Sequence, residues 1–373
     1  MLRTAFRFIL YDKPKSIGAL AGIIISVFLI GQQSGIFIFL VDGMADLVTN
    51  NSGYVWVVDD KTTNVNALTQ LDTRIGNEIE SINGVAHAYP IIVTAGAARF
   101  ENGKSAGVML IGVETSSYAG GPWNLAVGKK EDLLKDGAII TDYFDSENLG
   151  GIKLGQYFEI NGKKVFNAAN TKGIRPFEGM YTFTTIERAR YLANIPTNKA
   201  SAFLVKVNNN EDETKIISEI NSQIPGVRAW NSHEFAKSTV YHILGVSGIA
   251  MSFGTLIVFA LIAGFVVIGL TLYSAAIDRI KDYGTLKAIG ATNGYIRRLI
   301  INQAMIIAQI GFTIGMFFVE GFKNGIAEEG TYFDYPLWLR FAFFASTMLI
   351  ALLGSLFAIH RIIKLEPAQV FRG

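Results

Sequence analysis

Four long apolar runs divide the chain into membrane-length segments separated by polar stretches. Residues 16–42, 238–277, 299–319 and 339–360 contain almost no charged side chains, and each reaches the roughly 20 residues that a helix needs to cross a bilayer. The first run is longer than the apolar core of a signal peptide and has no evident small-residue cleavage site, so we interpret it as a retained span. The pattern predicts an α-helical membrane protein with four transmembrane helices.

A polar stretch of different character, residues 43–237, lies between the first and second runs. Apolar residues alternate along it in short segments, as in half-buried strands, and helical spacing separates several of these segments. The predicted strands are residues 54–58, 88–93, 108–113, 138–141, 157–160 and 202–207, and the predicted helices are residues 67–82, 185–192 and 211–224. The stretch therefore predicts an extracytoplasmic α/β domain inserted between transmembrane helices 1 and 2.

Two segments inside this domain resemble each other. Residues 78–89 (EIESINGVAHAY) and 219–230 (EINSQIPGVRAW) both read as a helix, a turn that ends in Gly-Val, and a strand. Two such units predict an α+β, split βαβ-like layout, and chance similarity over so short a segment is the alternative.

The charges between the apolar runs predict the orientation. Residues 1–15 form an amphipathic segment with several cations, residues 278–298 are basic, and the tail 361–373 carries three basic residues, whereas the loop 320–338 is mainly acidic. Because short cytoplasmic loops are enriched in Lys and Arg, we expect both termini in the cytoplasm and the large domain outside a bacterial inner membrane. A helix over residues 238–277 would be about 60 Å long, so its first turns are expected to form a stalk outside the bilayer.

Composition excludes several classes of function. With 50% hydrophobic and 17% charged residues the chain is too apolar for an ordinary soluble domain, and a net charge of +2 gives no reason to expect nucleic-acid binding. The absence of cysteine excludes disulfides, thiolate metal sites and cysteine nucleophiles. His233 and His242, near the base of the stalk, are the pair considered for a metal or haem, but their spacing matches no metal-ligand motif and no metal site is predicted.

Residues 279–298 (RIKDYGTLKAIGATNGYIRR) are the charged interruption in the apolar C-terminal third. Helical spacing places Tyr283, Leu286 and Ile289 toward one side, and Gly290 is positioned to end the helix. The segment is too short and too polar to cross a bilayer, and it suits a helix beneath one that another cytoplasmic molecule grips. A solvated helix that only fixes the topology is the alternative.

The same segment carries a family resemblance. Residues 278–304 (DRIKDYGTLKAIGATNGYIRRLIINQA) are similar to the cytoplasmic loop of the MacB/FtsX superfamily of ABC-transporter permeases, which have the type VII ABC fold, and residues 361–372 (RIIKLEPAQVFR) are similar to its closing motif. Tyr283 and Asp282 depart from the commoner Ile or Phe and Glu. The segment YGTLKAIG, together with a small outer domain, is nearest to the DevC- and HrtB-type exporter permeases.

The resemblance implies a permease that forms a homodimer and docks its loop helix, the coupling helix, on a separate ABC ATPase dimer. The implied contact combines apolar anchors with a charged rim, and its residues are Asp282, Tyr283, Thr285, Leu286, Lys287, Ile289 and Gly290. ATP and Mg would be bound by that partner, because the Gly-rich stretches of this chain lack the GxxxxGK[ST] pattern. The chain itself is expected to be no enzyme, with no catalytic residue, cofactor or metal.

Small residues along the spans predict close helix–helix packing, within one protomer or across a dimer. They are Gly18, Gly22, Ser26, Gly31 and Gly35 in the first span, and Gly311 and Gly315 in the third.

Two functions of different classes follow from the resemblance. The first is an efflux permease that moves an amphiphile (lipid, glycolipid, haem or peptide) out of the inner membrane or periplasm by mechanotransmission. Its further partners would be membrane lipid, a periplasmic adaptor (membrane fusion protein) and an outer-membrane channel. The alternative is an FtsX-like, non-transporting signal transmitter that activates an extracytoplasmic partner such as a cell-wall hydrolase.

Overall fold

The structure, a computed structural model, describes residues 13–209, 211–278 and 280–363. These residues divide into two units. The helical unit contains the chain up to Ile38, Ile249–Glu328 and the chain from Phe333 onward, and the outer domain contains Phe39–Gly248 and Glu329–Tyr332. Most of the amphipathic segment predicted over residues 1–15 and of the tail predicted over residues 361–373 lies outside the described residues.

The helices are α1 (Lys13–Met44), α2 (Asp46–Thr49), α3 (Arg74–Glu80), α4 (Ile186–Ala193), α5 (Glu213–Gln223), α6 (Ser232–Ser247), α7 (Ile249–Asp278), α8 (Ile280–Ala288), α9 (Asn293–Ala327) and α10 (Leu337–Ile363). The strands are β1 (Val55–Asp59), β2 (Leu71–Asp72), β3 (Val85–Arg99), β4 (Ser105–Val113), β5 (Leu125–Val127), β6 (Ala138–Asp142), β7 (Tyr157–Ile160), β8 (Lys163–Thr171), β9 (Tyr181–Thr185), β10 (Lys199–Ala200), β11 (Ala202–Val207) and β12 (Val227–Trp230). Two short 3₁₀ helices, Lys130–Leu134 and Tyr143–Asp145, flank β6.

Within the residues that the structure describes, four helices, α1, α7, α9 and α10, are long and apolar enough to cross a membrane. The α/β domain is inserted between the first two of them. The predicted fold class, four membrane helices with an inserted α/β domain, is confirmed.

The chain passes from the outer domain to the helical unit at a break between two helices. Residues 238–277, predicted as one stalk and span, divide at Gly248 into α6 and α7. Gly248 has φ 67°, a left-handed conformation that glycine adopts without steric cost. The stalk helix α6 is therefore part of the outer domain, and α7 is a separate helix.

The predicted split βαβ layout occurs at one edge of the large sheet. The strand order there is β12-β1-β11-β3, and every neighbouring pair is antiparallel. The units β1–α3–β3 and β11–α5–β12 therefore each enclose a strand of the other. Both helix-to-strand turns use a glycine with positive φ, 99° at Gly84 and 80° at Gly226. The helices bury Ile79, Ile216 and Ile220 against this half of the sheet.

The rest of the sheet continues from β4 through β9, β6, β8 and β5, with β7 paired to β3 and β8. The pairs β4–β9 and β6–β8 are parallel, so the sheet is mixed. All six predicted strands overlap observed ones. The predicted helix over residues 67–82 is wrong in its first half, because α3 begins at Arg74 and the preceding residues form a turn and β2, which pairs with β10.

The small residues predicted for packing lie against larger side chains of other segments of the helical unit. The contacts are Gly18 with Thr271, Gly22 with Val267, Ser26 with Gly264, Gly31 with Val319, Gly35 with Phe333 and Tyr335, Gly311 with Ile23, and Gly315 with Val27. A Cβ on Gly22 would lie 2.2 Å from Val267, so only glycine permits this approach. These contacts are within one protomer, and a role across a dimer stays a prediction.

Gly112 of β4 should tolerate no side chain. A Cβ there would lie 2.3 Å from the Cβ of Ala189 and 3.2 Å from the Cα of Ile186, both in α4. We expect Gly112→Val to destabilise the outer domain by about 3 kcal/mol, since overpacking forces the helix off the sheet. Gly107→Val on the same strand is the control, because a Cβ there meets no atom within 4 Å. Urea unfolding followed by tryptophan fluorescence measures the difference, and equal midpoints for the two variants would contradict the expectation.

Candidate functional site

Helix α8, between α7 and α9, is the segment that the sequence marks as a docking element. Asp282 lies in its first turn and Lys287 in its last turn. A negative charge at the N-terminus and a positive charge at the C-terminus both interact favourably with the helix dipole. Gly290 has φ 104°, and its N–H donates to the carbonyl of Lys287 at 3.0 Å while the N–H of Ala291 donates to Leu286 at 2.9 Å. This pair of bonds is a Schellman motif, which ends the helix.

The next helix, α9, begins at Asn293, three residues after Gly290. Thr292 has extended backbone and its hydroxyl accepts from the N–H of Tyr295 at 3.2 Å, so it is the N-cap of α9. The sharp turn from Gly290 to Thr292 therefore holds α8 directly beside the start of α9.

The inner face of α8 is packed on two of the membrane-length helices. Tyr283 is 2% exposed and belongs to a buried cluster with Ile296, Leu299 and Ile300 of α9 and Ala358 and Ile359 of α10. The Lys287 ammonium donates to the carbonyl of Ile363, in the last turn of α10, at 2.9 Å. Helix α8 is thus attached to both α9 and α10.

The family resemblance implies that Tyr283 belongs to the surface that contacts the ATPase. In the structure its side chain is buried inside this chain. Leu286 is half-buried on the same side and extends the cluster. Tyr283 therefore anchors α8 to α9 and α10, and a direct contact of this residue with a partner stays a prediction.

The outer face presents a small apolar and polar surface. Ile289 is 80% exposed, and Asp282, Thr285 and Gly290 are exposed as well. The Thr285 hydroxyl is used within the helix, where it donates to the carbonyl of Lys281 at 2.9 Å. An exposed isoleucine with a carboxylate nearby has the character of an anchor with a charged rim.

Sequence comparison identifies this part of the chain. Residues 254–367 match the family described as FtsX-like permease C-terminal. This segment is an FtsX-like permease domain. It contains α8 and its anchoring cluster, and it confirms the predicted resemblance to the MacB/FtsX superfamily.

Other relatives of the chain include two curated proteins from Mycobacterium tuberculosis, both described as uncharacterized ABC transporter permeases, from strain CDC 1551 / Oshkosh and strain ATCC 25618 / H37Rv. Each is 26% identical over 117 residues, which cover 30% of this chain and 31% of the relative. The match thus spans less than a third of the length of these relatives.

Solved structures with a similar fold include the extracellular domain of the noncanonic ABC-type transporter YknZ from Gram-positive bacteria, at 16% identity and a TM-score of 0.35, covering 48% of this chain and 99% of that one. The periplasmic region of MacB from Actinobacillus actinomycetemcomitans aligns at 10% identity and a TM-score of 0.38, covering 52% and 97%. A domain of a putative permease protein from Porphyromonas gingivalis aligns at 12% identity and a TM-score of 0.34, covering 48% and 89%.

Sequence reasoning missed a second feature of this chain, the packing of part of the α9–α10 connection within the outer domain. Residues Glu329–Tyr332, here called the clasp, belong to the outer domain. The Arg175 guanidinium donates to the carbonyl of Glu329 at 2.8 Å and to the Asp145 carboxylate at 2.7 Å. The Tyr332 ring packs edge-on against Phe144, with ring centroids 6.1 Å apart.

Asp142 shapes the loop that carries Arg175. Its carboxylate accepts from the Thr171 hydroxyl and from the N–H of Ile174, both at 2.9 Å. The Asp142 carboxylate also accepts from the N–H of Phe144 at 3.0 Å, which caps the start of the 3₁₀ helix Tyr143–Asp145. The clasp therefore rests on a rigid, hydrogen-bonded part of the outer domain.

Asp145 gives the outer domain a pH dependence. Its side chain is 2% exposed, and burial raises its pKa to about 7, because the Arg175 charge only partly offsets the lost hydration and Asp142 adds a like charge. The folded pKa lies above the unfolded value of 3.8, so the stabilising contribution is fully present below that value and is lost as the pH rises through about 7. We expect Asp145→Asn to flatten the fall in unfolding free energy across this range.

Urea unfolding of the full chain at several pH values, followed by tryptophan fluorescence, measures this slope. Asp136→Asn is the control, because the Asp136 side chain is 99% exposed. A slope in Asp145→Asn equal to that of the wild type would contradict the assignment.

Proposed function

We propose that the chain is the permease subunit of an ABC exporter, driven by ATP hydrolysis in a separate ATPase subunit. The observation that carries the proposal is the two-sided construction of α8 within the FtsX-like permease domain. One face is buried in the chain, and the other exposes Ile289, Asp282 and Thr285.

The anchoring contacts support a mechanical role for α8. Since Tyr283 packs against both α9 and α10, and Lys287 binds the end of α10, a displacement of α8 must move both helices. An ATPase that closes on ATP and Mg would push or pull α8 as a rigid body, and the helices would transmit that movement across the membrane. In the proposal the permease acts as a homodimer with two ATPase subunits.

The orientation in this proposal follows from the charges of the sequence. The basic segments at α8 and at both termini would face the cytoplasm of a bacterial inner membrane, and the outer domain would lie on the opposite side. The cargo would be an amphiphile (lipid, glycolipid, haem or peptide), and a periplasmic adaptor and outer-membrane channel would complete the route in an organism with an outer membrane.

The clasp favours a second candidate function, signal transmission without transport. Because Glu329–Tyr332 are joined by short segments to α9 and α10 and are bound by Arg175, movement of these helices would reach the outer domain through a direct attachment. Such an attachment suits a transmitter that activates an extracytoplasmic partner such as a cell-wall hydrolase.

One experiment tests the proposal and separates the two candidates. The tagged wild type and the Ile289→Asp variant are purified in parallel in mild detergent, and co-purifying proteins and small molecules are identified by mass spectrometry. An ABC ATPase that accompanies the wild type alone, together with an amphiphile, supports export. The same ATPase with a wall hydrolase and no amphiphile supports transmission, and the absence of any ATPase overturns both.

A further inference from the structure

An apolar groove runs between α7 and α10 in the helical unit. Its walls form two adjoining cavities of about 440 and 640 Å³, which share Phe265, Tyr273 and Phe357. The lining residues follow one stripe on each helix, at 265, 266, 269, 270 and 273 of α7 and at 353, 356, 357 and 360 of α10. The groove therefore runs along the C-terminal parts of the two helices, over residues 265–273 of α7 and 353–360 of α10.

The groove arises from a close contact between two glycines. A Cβ on Gly269 would lie 3.6 Å from the Cα of Gly354, so the backbones meet at this point. Phe265 and Phe357 pack beside the contact with ring centroids 5.7 Å apart. Val266, Leu270 and Leu353, which line the groove on either side, are exposed.

The groove is polar at one end only. Its walls are aliphatic and aromatic except for Tyr273 and His360, which lie near the last residues of α7 and α10. These two helix ends lead toward α8, where Lys281, Arg297 and Arg298 are exposed cations. Tyrosine is favoured at the boundary between acyl chains and lipid headgroups. The polar end therefore lies where the headgroups of the leaflet nearest α8 would be.

The composition of the walls distinguishes a lipid from a second helix as the occupant. Helix–helix contacts in membranes use small residues that let backbones approach. Here the small residues, Gly269 and Gly354, already form the contact between α7 and α10. The exposed walls present large side chains such as Val266, Leu270 and Leu353. An acyl chain adapts to such a surface.

We propose that the groove binds one anionic phospholipid of the bilayer, with an acyl chain between α7 and α10 and its phosphate near Tyr273 and His360. The apolar walls hold the chain, and the cations at the start of α9 and on α8 attract the headgroup. The site is independent of whether the chain exports a cargo or transmits a signal.

Native mass spectrometry of the full-length chain tests the site. The protein is reconstituted with palmitoyl-oleoyl phosphatidylglycerol, extracted in mild detergent, and the retained lipid is counted. Val266→Trp fills the groove and is expected to lower retention about tenfold. Val258→Trp is the matched control, because Val258 lies two turns away on α7 with nearly the same exposure, 52% against 53% for Val266, and it should retain lipid as the wild type does.

A second pair of variants repeats the test on α10, in case Val266→Trp or Val258→Trp folds poorly. Leu356→Trp changes the groove and Leu349→Trp is its control. Retention of phosphatidylglycerol by the wild type and both controls, but not by the groove variants, supports the proposal. No retained lipid in the wild type, equal loss in groove and control variants, or equal retention of phosphatidylcholine would overturn it. If Val266→Trp lost the dimer but kept the lipid, a second copy of the chain would cover the groove. If the retained molecule had a single acyl chain and was not a phospholipid, the occupant would be a cargo molecule.

Discussion

Ile289→Asp is expected to abolish productive binding of the ATPase subunit while the permease remains folded. Ile289 is 80% exposed at the end of α8 and is not part of the cluster that anchors this helix. A carboxylate forced into an apolar pocket of a partner loses its hydration, and a central anchor residue contributes at least about 2 kcal/mol, which corresponds to about 30-fold in affinity. Titration of the purified ATPase against the permease, with ATP turnover as readout, measures the loss.

The control for this experiment is Leu134→Asp. Leu134 is also an exposed apolar residue, at 63%, but it lies in the outer domain. The Leu134→Asp variant replaces an exposed apolar residue by a carboxylate, as Ile289→Asp does, but leaves α8 unchanged. It should therefore bind the ATPase as the wild type does. Unchanged affinity in Ile289→Asp would mean that the coupling surface lies elsewhere.

Tyr283→Ala is expected to impair the same coupling by a different route, through loss of stability. Removing a fully buried aromatic ring costs about 3–5 kcal/mol, from lost burial and the cavity that remains. The cavity would lie between α8, α9 and α10, so α8 would loosen from both helices. The melting temperature should fall and ATP turnover should no longer respond to the permease.

Tyr283→Phe separates packing from partner contact. It keeps the ring that fills the cluster, so it should retain most of the stability and coupling of the wild type. If Tyr283→Ala lost ATPase binding with no change in melting temperature, Tyr283 would be a direct contact after all, and the burial argument would fail.

The two residues also show how far the sequence predicts the site. The segment, its helix and its end at Gly290 were predictable, because a polar interruption between apolar runs and a glycine after a helical pattern are local signals. Spacing placed Tyr283 and Ile289 on one side, but the helix ends at Ala288 and the Schellman turn rotates Ile289 outward. Which of the two is buried depends on α9 and α10, and this tertiary contact leaves no mark in the local pattern.

The outer domain shows a similar limit. Strand β8 (Lys163–Thr171) was missed because its inward positions include Asn167, Ala169 and Thr171, which are buried but small or polar. Thr171 is held by its hydrogen bond to Asp142, and Ala169 packs in the apolar core but is too small to give a strong apolar signal. Apolar alternation detects strands such as β11, whose inward residues are large, and fails where a strand is held by polar partners.

The clasp and the groove could not be predicted from the sequence either. Arg175 and Glu329 are separated by more than 150 residues, and Gly269 and Gly354 by more than 80, and nothing in the intervening sequence pairs them.

The connections between the outer domain and the helical unit differ in stiffness. Helix α1 is continuous from Lys13 to Met44, across the point at Ile38 where the chain leaves one unit for the other. A continuous helix behaves as a rod that resists bending and twisting. On the return path the chain is not helical at Gly248, whose positive φ of 67° separates α6 from α7. The chain therefore enters the outer domain along an unbroken helix and leaves it through a single glycine, whose backbone can change conformation at low steric cost.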